Sequence, residues 1–217
     1  RMAPAWDILS QELSSAAKMV VVIPAGPEGQ KVQETLQREI SQPDKLHFLT
    51  NSNPYPMTVW SRDSVLPMED AQGRTTLLIP QRSYWAGGDP EGNTGDLSVP
   101  WVMAESNLGV PITVRPQPWV SLDGGNVVNN STTAFVGQDS LTNTEKLLRE
   151  RGSETVAITQ LETVLGKTVV VLPQAAFHLD LFCTPLGERK MLVGDPRLAL
   201  DLLASLSVEQ RAEVEIA

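Results

Sequence analysis

Val20-Val21-Val22-Ile23-Pro24, Thr76-Leu77-Leu78-Ile79-Pro80 and Val169-Val170-Val171-Leu172-Pro173 are three versions of one pattern, a short aliphatic run closed by proline. β-Branched side chains suit a pleated surface, and a run without polar alternation reads as a buried strand. Proline has no N–H to give to a ladder, so each one marks where pairing can stop. Around these runs the sequence predicts helices over 5–19, 29–40, 141–151 and 196–206. The third carries the clearest signals: Asp139 and Ser140 as cap candidates, Leu141, Leu147 and Leu148 on one stripe, and Gly152 as a stop. Strand-rich units separated by single helices predict an α/β or α+β protein built from similar modules.

Between the second and third runs, residues 81–100 lose all periodicity and fill with Gly, Pro, Asp, Asn and aromatic residues. They read as a long surface loop, either a lid or a plain connection. Nothing else resembles a linker, so the 217 residues are expected to form one domain. A chain of this length buries roughly 70% of its unfolded surface, and a hydrophobic content of 41% supplies the core. No apolar run approaches the roughly 18 residues of a membrane span. The chain is therefore expected to be soluble, with the cytoplasm favoured but the compartment open. It begins at Arg1 without a signal-like segment, so a targeting peptide is expected to be absent or already removed. A net charge of −9 offers little to nucleic acid and suits small cationic partners better. The single cysteine, Cys183, permits no internal disulfide, and no Cys/His cluster has metal-ligand spacing. No metal or cofactor is expected, and oligomeric state is open.

Three clusters could carry chemistry. Trp60-Ser61-Arg62-Asp63 places an acid near a strand end, and taken alone an Arg–Asp pair beside a Trp is more often a structural salt bridge. Asp123-Gly124-Gly125-Asn126 sets a carboxylate before two glycines, which permit either a turn or the close approach of a ligand. Phe177-His178-Leu179-Asp180-Leu181-Phe182 reads as an alternating strand with His178 and Asp180 on one face. An imidazole beside a carboxylate in an apolar strand is costly unless the two are paired or used. The other histidine, His47, has no acid nearby and reads as structural or surface.

In this order the three clusters resemble the guanidine-modifying superfamily, the penteins: deiminases, dimethylarginine dimethylaminohydrolases and amidinotransferases. The resemblance spans roughly residues 20 to 200. It implies an α/β fold, a β/α propeller of repeated ββαβ modules with the site at its centre. It also implies a small cationic guanidino substrate. A guanidinium is planar and always charged, and its N–H groups form a fork that carboxylates accept bidentately. By resemblance Asp63 and Asp180 hold it flat, with Arg62 and Asn126 as further substrate-binding residues. His178 protonates the leaving amine and then activates water, while Asp123 orients His178. Many relatives carry Glu where Asp123 stands.

The nucleophile of that family is a cysteine one module further along. Strand parity puts Cys183 on the face away from His178 and Asp180, as a small buried hydrophobe. The sequence given stops at Ala217, so the expectation is an incomplete domain over 1–217 with its final module missing, or a member without a thiol. A deiminase-type hydrolase is the leading reading. The alternatives are an amidinotransferase, a non-catalytic pentein that binds a cationic ligand or partner, and an α/β domain whose matches are coincidental.

Overall fold

The computed structural model describes residues 3–14, 17–54, 57, 63, 65–69, 72–81, 94–174, 177–208 and 210. Its elements run α1 (Ala3–Glu12), β1 (Met19–Pro24), α2 (Pro27–Glu39), β2 (Leu46–Asn51), β3 (Leu66–Glu69), β4 (Thr75–Gln81), α3 (Thr94–Glu105) and β5 (Ile112–Ser121). They continue with β6 (Val127–Asn129), β7 (Thr133–Gly137), α4 (Gln138–Glu150), α5 (Ala157–Leu165), β8 (Thr168–Leu172), β9 (Cys183–Pro185), β10 (Met191–Val193) and α6 (Pro196–Ser205). The three proline-closed runs form β1, β4 and β8, as their composition predicts.

Among the described residues the strands fall into four small sheets. In one, β3 and β4 form an antiparallel pair and β5, beyond α3, returns parallel to β4. In another, β6 and β7 are antiparallel and β8, beyond α4 and α5, returns parallel to β7. The two modules share one strand pairing, the first with a single helix in its crossover and the second with two. Before them β1 and β2 pair in parallel around α2, and after them β9 and β10 form an antiparallel pair followed by α6.

The main core joins the two complete modules. Leu66 and Leu78 of the first meet Val127, Val136 and Val169 of the second, with Leu161 and Leu165 of α5 packed between. A separate cluster of Val21, Ile23, Ile40 and Leu46 closes the first unit. Each fully buried aliphatic side chain contributes about 1.5–3 kcal/mol, enough to fix how neighbouring modules dock.

Three expectations need correction. Helix α1 stops at Glu12 rather than 19, because Lys45, itself buried, donates from Nζ to the carbonyls of Leu13 (2.6 Å) and Ser14 (2.8 Å) and holds the chain out of helix there. The long loop over 81–100 does not hold at its ends: Gln81 closes β4, and 94–100 form the first half of α3 despite Gly95 and Pro100. Residues 82–93 lie outside the described residues. The first turn of α3 is held from β2, where buried Asn51 donates to the Gly95 carbonyl (3.1 Å) and to Ser98 Oγ (2.8 Å). Tertiary bonds there override two helix breakers. Finally, 177–182 is not a strand. His178 is extended (φ −126°, ψ 142°) and enters a single 3-10 turn, Leu179–Leu181, before β9 begins at Cys183.

Candidate active site

Each of the last three units delivers one group from the same place, the lead-in to its first strand. Asp63 lies just before β3, Asp123 just before β6 and His178 just before β9. The second and third lead-ins are alike in detail: Asp123 (φ −106°, ψ 139°) and His178 are both extended residues that open one 3-10 turn, Gly124–Asn126 and Leu179–Leu181. The lead-ins converge. Gly124 donates its N–H to the carbonyl of Asp63 (3.2 Å). His178 stands between two acids, with Nδ1 at 3.7 Å from Asp63 Oδ1 and Nε2 at 4.0 Å from Asp123 Oδ2.

All three side chains are buried, each residue only 6% exposed. Burying charged groups costs several kcal/mol per ion unless they are well paired, so the cluster is not a passive surface feature. Neither acid is within hydrogen-bond distance of the ring, and His178 Nε2 makes no hydrogen bond among the described residues. Gly125 makes the packing possible. A Cβ there would sit 2.6 Å from His178 Nδ1, so the imidazole rests directly on bare backbone. The sequence leaves open a turn or the close approach of a ligand here; the group that lies against Gly125 is the histidine of the same chain.

Asp180 follows on the same turn as His178 and is half-buried. Asn126 is 1% exposed, and its Nδ2 faces α4, donating to Asp139 Oδ1 and to Ser140 Oγ (3.1 Å). Trp60, Ser61 and Arg62 lie outside the described residues. No group of three or more His, Cys, Asp or Glu that could hold a metal ion occurs among the described residues, and no helix among them is long and apolar enough to cross a membrane.

Cys183 is 3% exposed and packs with Val128 and Leu179, its Sγ donating to the Leu179 carbonyl (3.3 Å). Burial pushes its thiol up, and the charge of Asp180 adds to the effect. A nucleophilic thiolate needs the opposite environment. Alkylation of Cys183 by iodoacetamide at pH 8 should be at least about tenfold slower in the native chain than in denaturant. Equal rates in a mass-spectrometric time course would show a reactive thiol.

Comparison with solved structures identifies the fold as that of guanidine-modifying enzymes. An agmatine deiminase of Enterococcus faecalis superposes with a TM-score of 0.63 over 96% of this chain and 60% of its own, at 15% identity. For an agmatine deiminase of C. jejuni the TM-score is 0.59, over 90% and 55% of the two chains at 14% identity. A dimethylarginine dimethylaminohydrolase reaches 0.50, over 84% and 71% at 13% identity. No family model matches the sequence, and no curated protein matches it. At these identities the likeness is one of fold, and the chain spans little more than half the length of the deiminases.

Proposed function

We propose that this chain carries the guanidinium-binding and acid–base groups of a deiminase-type guanidino hydrolase. The observation that carries the reading is the buried imidazole held between Asp63 and Asp123, groups brought together from separate modules. Carboxylates around one imidazole favour a cationic ligand and disfavour an anionic one. The fold supports the same reading, since agmatine deiminases share it.

In the proposed reaction Asp63 and Asp180 take the N–H fork of the guanidinium and leave one face of its central carbon open. A thiolate adds to that carbon, and the tetrahedral adduct expels an amine that takes its proton from His178. The resulting S-substituted cation then receives water deprotonated by His178, and the C–S bond breaks to return the thiolate. Asp123 orients the ring between the two steps. Cys183, with its raised and buried thiol, is not the nucleophile in this scheme. It is the one cysteine of the 217 residues, and in this scheme the thiolate belongs to a residue outside them. These residues would then belong to a pentein-type domain whose propeller is completed by a further module.

The burial of Cys183 also favours a second reading, a chain that binds a guanidinium without turning it over. Both readings require binding. Titration calorimetry with agmatine and arginine, against cadaverine and lysine as ammonium controls, should show guanidinium preferred by at least about tenfold, because only the planar fork matches two carboxylates. Equal affinity for the ammonium controls would remove the guanidino assignment. Ammonia release from the same compounds by the full gene product then separates hydrolase from binder.

A further inference from the structure

Two segments of the site are tied to one short stretch of chain, the first turn of α4. On one side, Asn126 Nδ2 donates to Asp139 Oδ1 and to Ser140 Oγ, and Ser140 Oγ donates to Asp139 Oδ1 (3.3 Å). Asn126 closes the Asp123 turn itself, giving its backbone N–H to the Asp123 carbonyl (2.9 Å). On the other side, Gln174 Oε1 accepts the N–H of Asp139 (2.8 Å), and Gln174 Nε2 donates to the carbonyl of Phe177 (2.8 Å), the residue before His178.

Helix formation alone does not demand this arrangement. The first N–H groups of a helix are ordinarily met by water or by a side chain at the N-cap. Here the N-cap is Gly137, which has no side chain to offer. It has to be glycine, because a Cβ would sit 2.2 Å from Asn126 Oδ1. Admitting Asn126 therefore forfeits the helix's own cap, and Gln174 meets the N–H of Asp139 from a distant part of the chain. An amide accepts at its oxygen and donates from its nitrogen, and Gln174 uses both ends. A carboxylate of the same length would oppose the Phe177 carbonyl.

We infer that Gln174 and Asp139 are positioning residues: through the first turn of α4 they set His178 against Asp123. The inference rests on the reading above that these two groups act together, but its test requires no ligand. The chain has only two histidines, and exposed His47 on β2 serves as an internal reference. Gln174→Met keeps the length and packing of the side chain and removes both hydrogen bonds. Asp139→Ala, at an exposed position, removes the acceptor of the Asn126 amide and keeps the N–H that Gln174 takes.

In spectra of the 15N-labelled imidazoles, both variants should move the His178 cross-peaks by more than a linewidth and leave those of His47 in place. Should Gln174→Met fail to fold, Asp139→Ala decides. Unmoved His178 peaks in folded variants that lose only thermal stability would overturn the inference, since a plain helix cap predicts that pattern. Moved peaks in a chain that binds no agmatine would sustain the positioning role and sink the guanidino reading instead.

Discussion

Asp63→Asn should weaken the binding of agmatine or arginine at least about tenfold, with Asp180→Asn doing the same. Each substitution keeps the side-chain volume and removes one charged acceptor. Charge-assisted hydrogen bonds are worth about 1.5–3 kcal/mol, and 1.4 kcal/mol is already a factor of ten. For Asp63 the effect should approach the upper end, because the carboxylate is buried and little water remains to take its place. Unfolding should be followed alongside, since Asp63 also faces His178 at 3.7 Å and its loss reaches past the ligand. Calorimetry showing unchanged affinity in both variants would rule out the two-carboxylate grip and leave the cluster as a structural charge pair.

A larger effect is expected at His178. In the proposed reaction one imidazole gives a proton to the departing amine and later takes one from water, and the other imidazole of the chain, His47, lies exposed on β2. General acid–base catalysis contributes about 10²–10⁴-fold to a step. With both steps depending on one group, His178→Ala should lower ammonia release by the full gene product at least about a hundredfold, while agmatine binding falls much less. Cys183→Ser should leave that activity nearly intact, apart from a packing cost. The opposite pattern, with turnover lost in folded Cys183→Ser and retained in His178→Ala, would mean that Cys183 is the nucleophile and that the roles above are wrong.

Much of the fold is legible in residues 20–24, 76–80 and 169–173, because short aliphatic, β-branched runs closed by proline suit strands. The expected burial on both faces holds for β4, where Thr76, Leu77 and Leu78 are all buried, and fails for β8, whose Val170 is 38% exposed. Asp123-Gly124-Gly125 is legible too, since two adjacent glycines after an acid require a backbone reason. The strand reading of 177–182 fails for a definable cause: its alternation of apolar and polar residues also suits one extended residue followed by a 3-10 turn, and so short a stretch cannot separate the two periods. Asp139 shows a deeper limit. The sequence presents it as a helix cap, and its carboxylate instead receives the Asn126 amide while its N–H goes to Gln174. Partners that distant in sequence are chosen by how modules dock, which local pattern does not encode. For the same reason nothing local marks Gly137, whose missing side chain makes room for Asn126.

The shared placement of Asp63, Asp123 and His178 in lead-ins also bears on the order of events when the chain folds. Within each module the hairpins and the helices form from near neighbours in sequence, whereas the three lead-ins meet only across module boundaries. Contacts that close long loops form slowly, after local ones. Affinity for a guanidinium should therefore return late in refolding, behind the recovery of helix and strand measured by circular dichroism. A ligand present at that moment would act as a clasp, drawing together modules that are each already built.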